Sequence, residues 1–298
     1  MTPPALPLWA VHIDDGVLSG TWAAGGFVLA ALLALWGSWG IRDEEIPRVA
    51  LMAAVFFVAS LIPIPVPAAG HTHLLLNGLL GVVLGRRAFL AVPVGLFLQA
   101  ALFGHGGFTA LGVNSCVMGL PALVAWLLFA GLRRLPVLRR PWFRALLVAA
   151  SSLALTLSLV YCVSLLCSNR LTEIDSLETA WANRITFHPA TLAGALLLAG
   201  LAAWVERRLE NAPEFPLGLL VGETAVLATI GLNAVALLWG APMDLHTQVL
   251  IACVVHLPLA VVEGIVLGFT VGFLVRVKPE MLRWPVAENV ECAVDSLP

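Results

Sequence analysis

Two histidines, His71 and His73, stand two residues apart in the stretch AAGHTHLLLNG, which runs from Ala68 to Gly78. Imidazole nitrogen is a good donor for Ni, Co, Cu and Zn. In an extended segment side chains alternate, so an x-spaced pair presents both rings on one face. Two nitrogens hold a metal weakly, and a site built on this pair needs donors from elsewhere. The plainer reading is an interfacial pair solvated by headgroups. VHIDDG, Val11 to Gly16, sets His12 beside Asp14 and Asp15. Its plainer reading is a solvated acidic turn. FGHGGFTALGVNSC, Phe103 to Cys116, surrounds His105 with glycines that permit sharp turns and close backbone approach, and carries Asn114 further on. His105 there reads equally as a satisfied loop histidine. HLPLAVVEGIVLGF, His256 to Phe269, places His256 and Glu263 seven apart. Positions so spaced return to one helix face after about two turns.

The elements that must position these residues are apolar. Hydrophobic residues make up 60% of the 298 and charged residues 11%, with a mean hydropathy of +0.96. Soluble chains carry about 25% charge. Apolar runs of membrane-crossing length recur along the whole chain, which predicts an all-α, polytopic transmembrane bundle of 7–9 spans. The expected spans are 21–41, 47–64, 73–85, 88–104, 109–132, 143–167, 190–205, 217–239 and 248–275. The third is too short to cross a ~30 Å core alone at about 1.5 Å per residue. It reads as a half-helix, or as a segment leaning into the bundle. An ionisable residue such as Glu263 inside a span is costly and faces the bundle or a water-filled cavity. A hydrogen bond between helices is the structural role open to it. Five cysteines form no CxxC and no disulfide framework. Residues 1–20 hold no Lys or Arg, so a cleavable secretory signal is not expected and 21–41 reads as a retained first span.

Arginines and the single lysine set the orientation. Of the 16 basic residues, 14 fall on alternate loops, after the first, third, fifth, seventh and ninth segments, while Arg170 and Arg184 fall on the others. The excess of positive charge marks the cytoplasmic side, which predicts the N-terminus outside and the C-terminus in the cytoplasm. Six of the seven histidines then lie toward the outer face: His12, His71, His73, His105, His188 and His246. Only His256 is inside a span. Histidines gathered at one mouth of a membrane protein point to collection of a metal from outside.

HIDDGVLS, IPIPVPAAGHTHLLLNGLLGVVLG, QAALFGHGGFTALGVNSCVMG and HLPLAVVEGIVLGFTVGFLVRVKPEML occur in this order. Together they resemble the CbiM/NikM family, the substrate-capture membrane subunits of cobalt and nickel energy-coupling-factor (ECF) ABC transporters. The likeness is close over residues 12 to about 135, good over 216–282 and poor from about 143 to 215. It implies a metal held by a roughly square-planar set of nitrogens near the start of the chain. Carried over, the ligands are the main-chain nitrogen of Val11, the nitrogens of His12, and His73, with His71 as a possible extra donor. Asp15, His105 and Asn114 are supporting positions. The cargo implied is Co2+ or Ni2+, with no resident cofactor. The partners implied are a transmembrane coupling subunit, ATPase subunits and a small membrane accessory subunit, in a cell (inner) membrane bilayer. Nucleic acid is not an expected partner.

One departure concerns the start. Relatives in the family begin Met-His-Ile, whereas MTPPALPLWAV precedes His12 here. Residues 1–11 read as a divergent extension, 12–282 as one transmembrane transport domain and 283–298 as a cytoplasmic tail. Two arrangements are open. The working chain begins at position 11, restoring a terminal amine as donor, or the extension is retained and His71 replaces that amine.

Enzyme classes are poorly supported. A GxxxxGK[ST] phosphate loop is excluded because the only lysine, Lys278, is followed by Pro279. HExxH is absent as well. Energy for uphill import would come from a separate subunit. The competing class is a metal-binding membrane sensor, or an orphan metal-binding protein without transport partners.

Overall fold

A computed structural model describes residues 12–66, 70–167, 189–208 and 214–282. Among these, nine α-helices form one bundle: α1 (Gly20–Ser38), α2 (Ile46–Ser60), α3 (Asn77–Leu84), α4 (Ala88–Phe103), α5 (Leu111–Leu132), α6 (Pro141–Cys167), α7 (Pro189–Arg208), α8 (Phe215–Gly240) and α9 (His246–Val277). One short antiparallel hairpin joins α2 to α3, with β1 (Ile64–Val66) paired to β2 (Gly70–Thr72). Among the described residues, seven segments are long and apolar enough to cross a bilayer: α1, the α3–α4 stretch, and α5 to α9. Large apolar side chains such as Leu32, Leu127, Leu197, Phe269 and Phe273 stand exposed on the outside of the bundle. Helices apolar on every side belong in lipid. This is a multi-pass membrane protein.

The expected third span resolves into two pieces. Residues 73–76 are non-helical, and α3 is only 8 residues long. The α3–α4 stretch is not one straight crossing. His73 precedes α3 and His105 follows α4, yet their rings lie 5.3 Å apart. The chain therefore doubles back, and it does so at Gly85, whose φ of +60° suits glycine.

That turn lies at the arginine-rich end. Arg87 is buried and donates to the carbonyls of Gly37, Trp39 and Gly40 and to the Glu45 carboxylate. The last carbonyls of a helix have no partner within it, and a cation there also suits the helix dipole. Arg87 thus closes the end of α1 and holds α2 beside it. At the same end Arg133 donates to the Leu282 carbonyl at 3.0 Å. Arg144 of α6 pairs with Glu206 of α7 at 3.3 Å, both side chains buried. The opposite end is marked by the Ser19 amide donating to the Gly240 carbonyl at 2.8 Å, which ties the start of α1 to the end of α8.

Small residues set the closest helix contacts. GLLVG (218–222) and GIVLG (264–268) face each other across α8 and α9. A Cβ placed on Gly222 would stand 2.7 Å from the Cα of Gly264, and one on Gly218 would stand 2.7 Å from the Cα of Gly268. Small-xxx-small spacing lets two backbones approach, which is how helices associate where lipid removes the hydrophobic drive. Gly222→Val should therefore destabilise the bundle by about 1–3 kcal/mol. Thermal unfolding in detergent should show a lowered midpoint, and an unchanged midpoint would mean that this crossing is not tightly packed.

Candidate metal centre

The stretch 72–76 is where the site begins. It is buried, and it has no helix or sheet to satisfy its amides after β2 ends. Each unsatisfied backbone group in a membrane interior costs several kcal/mol. α9 supplies the missing partners. The Glu263 carboxylate accepts the amide hydrogens of Leu75 and Leu76, the latter at 3.0 and 3.1 Å. One α9 face along, the Thr72 hydroxyl donates to His256 Nε2 at 3.0 Å, and His256 Nδ1–H donates to the Ala252 carbonyl at 2.7 Å. Leu76 sits in the left-handed region at φ +51°, unusual for a non-glycine residue. Asn77 follows and donates to the Thr229 hydroxyl at 2.7 Å. The seven-residue spacing of His256 and Glu263 thus does place both on one face, turned toward this segment. His73 lies between the two grips and is held in the bundle, 2% exposed.

The other side of the site is the chain's own beginning. The Ile13 amide donates to Asn114 Oδ1 at 2.9 Å, and Asn114 Nδ2 donates back to the Ile13 carbonyl at 2.9 Å. Gly107 adds a bond to that same carbonyl at 3.3 Å. Two residues on, the Asp15 carboxylate accepts from the amides of Phe108 and Thr109, at 3.1 and 2.6 Å, and from the Thr109 hydroxyl. The Thr109 hydroxyl bond is the first cause holding the Asp15 carboxyl below the usual carboxylate range. Residues 13–15 are thereby pinned against the loop before α5. One glycine of that loop is required by this approach and another by its backbone conformation. A Cβ on Gly107 would collide with Asp15, and one on Gly106 (φ +71°) would stand 3.4 Å from His12 Cβ.

With both walls fixed, three imidazoles meet. His12 and His73 stack with centroids 4.8 Å apart and planes 17° apart. His105 stands edge-on to both, at 4.9 Å and 76° from His12 and at 5.3 Å and 71° from His73. One nitrogen from each ring can be chosen so that all lie within 4.8 Å of one another. Donors on opposite sides of an ion with ~2 Å bonds stand ~4 Å apart. His12 is 2% exposed, and both of its ring nitrogens are buried with no hydrogen-bond partner among the described residues. Buried polar atoms are nearly always paired, so such a ring calls for a ligand. Burial foremost, then the charges of His73, His105 and His256, push the His12 pKa well below its ordinary value. The ring is neutral at neutral pH, the form that binds a metal.

The expected residues distribute as follows. His12, His73 and His105 converge, and Asn114 and Asp15 hold His12's segment in place. Asp14 separates from Asp15 and lies within electrostatic reach of His105; burial raises its pKa, against the lowering effect of that histidine. Val11 lies outside the described residues, as do His188, the extension before residue 12 and the tail after residue 282. His71 pairs through its backbone with Pro65, but its side chain lies outside the described residues. His246 stands elsewhere, against Asp244 at 2.5 Å on the surface. Sequence reasoning missed the grip of Thr72 on His256. It also missed that Glu263 serves backbone amides, although its place in a span, seven residues from a histidine, was the signal.

A family model described as the cobalt uptake substrate-specific transmembrane region, CbiM, matches residues 12–199 and 191–281. The chain belongs to the CbiM family. Among relatives in the CbiM family and its kin, a "Putative metal transport protein" of Haemophilus influenzae is 44% identical over 119 residues, 40% of this chain and 57% of that protein. A "Putative cobalt transport protein CbiM 1" of Methanocorpusculum labreanum is 29% identical over 92% of each chain. The "Fused nickel transport protein NikMN" of Rhodobacter capsulatus is 31% identical over 77% of this chain and 75% of its own. The match to the Haemophilus protein thus spans little more than half of its length.

The double bond between Asn114 and Ile13 makes a direct prediction. Asn114→Ala leaves the Ile13 amide and carbonyl buried and underpaired, and should cost about 1–3 kcal/mol of stability. Thermal unfolding measures it, and proteolysis should find the segment around residue 13 newly accessible. Wild-type values on both counts would mean that the start of the chain is held by other contacts.

Proposed function

We propose that this protein is the substrate-binding membrane subunit of an ECF-type ABC importer, capturing Co2+ or Ni2+ from outside the cell at the end of the bundle that carries His12, His73 and His105. The observation that carries this reading is the buried imidazole cluster, with the His12 nitrogens lacking a hydrogen-bond partner among the described residues. His12 and His73 are the principal donors. The Val11 main-chain nitrogen and His71 are the further ones. Asn114 and Asp15 position His12, and Thr72, His256 and Glu263 position His73. Family membership supports the choice of cargo, since nitrogen donors suit both Co2+ and Ni2+.

In this reading the histidine end faces outward and the arginine end faces the cytoplasm, in an inner membrane. The support is the charge distribution, with 14 of 16 basic residues on the loops opposite the histidines. The ATPase and coupling subunits would meet the arginine end, and the protein itself is not the enzyme. A sensor that binds metal without transporting it is the second reading, and metal flux with and without partner subunits separates the two.

Two measurements test the proposal. In calorimetric titration with Co2+ or Ni2+, His12→Ala and His73→Ala should each weaken binding by at least about 10- to 100-fold, while His246→Ala leaves it unchanged. Wild-type affinity in His73→Ala would remove the assigned site. In a cysteine-free background, Met243→Cys should react with an impermeant maleimide applied to intact cells, and Pro136→Cys only after the membrane is opened. The reverse pattern would invert the orientation.

A further inference from the structure

We propose that the outside of the bundle carries a seat for a phospholipid acyl chain, between α1 and α8, in the leaflet at the histidine end. The seat is a groove of about 430 Å3. It requires only that the protein spans a membrane, and it stands apart from the capture reading.

The groove follows from how three helices meet. α1 and α8 both pack on α5. They are tied to each other at the histidine end by the Ser19–Gly240 bond. A Cβ on Gly240 would stand 2.9 Å from Leu18 and 3.0 Å from Trp22, so that end is shut. Below it the two helices stand apart, and the groove opens between them over α5. Val113 and Val117 of α5 are buried on its floor, while Leu29 of α1 and Val235 of α8 are exposed on its rims. Two adjacent glycines of α1 do different things here. A Cβ on Gly26 would stand 2.4 Å from the Val113 side chain, so Gly26 lets α1 reach α5. A Cβ on Gly25 would meet nothing within 4 Å, and the side chain it lacks leaves the groove its room.

Depth identifies the occupant. The lining runs over residues 21–29 of α1 and 113–120 of α5. At about 1.5 Å per residue these stretches are roughly 10–12 Å long. Half of a ~30 Å hydrocarbon core is about 15 Å. The groove therefore serves one leaflet. A transmembrane helix of a partner crosses both leaflets, whereas a lipid tail ends near the midplane, as the groove does. Water is no substitute, because apolar cavities stay dry.

The polar groups are placed to match. Among the lining residues only Thr21 carries a hydroxyl; it stands exposed at the upper end, with the Ser19 hydroxyl 3.3 Å away. Trp22 is beside them, and tryptophan favours the headgroup level. An amphiphile seated here has its ester and headgroup near Ser19 and Thr21 and its tail along Gly25 and Leu29. Lipid supplies no hydrophobic drive for this contact. Retention comes from dispersion contacts on three walls, which an unfilled groove forfeits.

The test uses the full chain in nanodiscs of phosphatidylethanolamine and phosphatidylglycerol, doped with a phospholipid that carries a diazirine on one acyl chain. Light should attach that chain to peptides holding residues 21–29 and 113–120 in preference to α7, whose exposed Leu192 and Leu197 also face lipid. After transfer to detergent, native mass spectrometry should find a phospholipid retained by the wild type and by Gly231→Phe, and lost from Gly25→Phe. Gly231 of α8 is equally open but lies outside the groove. Labelling spread evenly over α7 and the groove helices would overturn the seat whether or not the variant folds, and so would a wild type that retains no phospholipid. Equal retention in Gly25→Phe would overturn it too. A lipid-free dimer that Gly25→Phe converts to a monomer would give the groove to a second copy of this chain, again against the proposal.

Discussion

A carboxylate accepting two backbone amides inside a membrane is the contact on which this molecule turns. Residues 72–76 cannot be helical, because the chain needs an extended stretch to carry His73 into the bundle. They cannot be left unpaired either, because lipid offers no hydrogen-bond partners. Glu263 resolves the conflict by accepting from Leu75 and Leu76. The same face of α9 offers His256 to Thr72. Irregular backbone at membrane depth is tolerated only where protein or water buries it, and here protein does so. Everything downstream follows in geometry: α3 starts where the carboxylate releases the chain, and Gly85 turns it back so that α4 returns to deliver His105.

The two walls of the histidine cluster are solved by different means. α9 holds the His73 segment from within the bundle through the Glu263 carboxyl group. On the other wall, Asn114 of α5 holds the His12 segment through its amide side chain, and the loop before α5 holds it through amides that donate to the Asp15 carboxylate and through a close glycine. Asn114 suits its task because it offers one donor and one acceptor in one plane, matching the peptide of Ile13. Asp15 suits its own because a carboxylate accepts several bonds at once, here from the amides of Phe108 and Thr109 and the Thr109 hydroxyl just before α5. The cluster is therefore fixed by polar contacts around it, and the three rings are presented toward one another at close range.

Much of the architecture was legible from apolar run length. Eight of the nine expected segments correspond to helices whose ends differ by only a few residues, because lipid leaves a chain little choice but helix. The remaining one, the third at 73–85, was legible only as too short; that its first residues are extended depends on Glu263, which lies nearly two hundred residues further on and leaves no local trace. The glycine spacing of 218–222 and 264–268 was readable in principle as a close crossing, but not which helix met which. At the site, the glycines around His105 correctly announced a close backbone approach. What they could not announce was the visitor, the segment 12–15. Of the two adjacent aspartates of HIDDG, Asp15, the one that the family resemblance names, serves the loop amides, and Asp14 lies near a histidine. Pattern finds the histidines; which of them meet is decided by contacts distant along the chain.

The position of Glu263 in the chain also bears on the order of assembly. A membrane protein is made from its N-terminus, and its early spans enter the bilayer before the later ones exist. His12, His73 and His105 are all synthesised well before α9. Until α9 is inserted, the amides of Leu75 and Leu76 lack their carboxylate and the extended stretch has nothing to brace it. A nascent chain therefore carries all three imidazoles without the brace that fixes one of them, and the histidine cluster is completed by the last of the described helices to arrive.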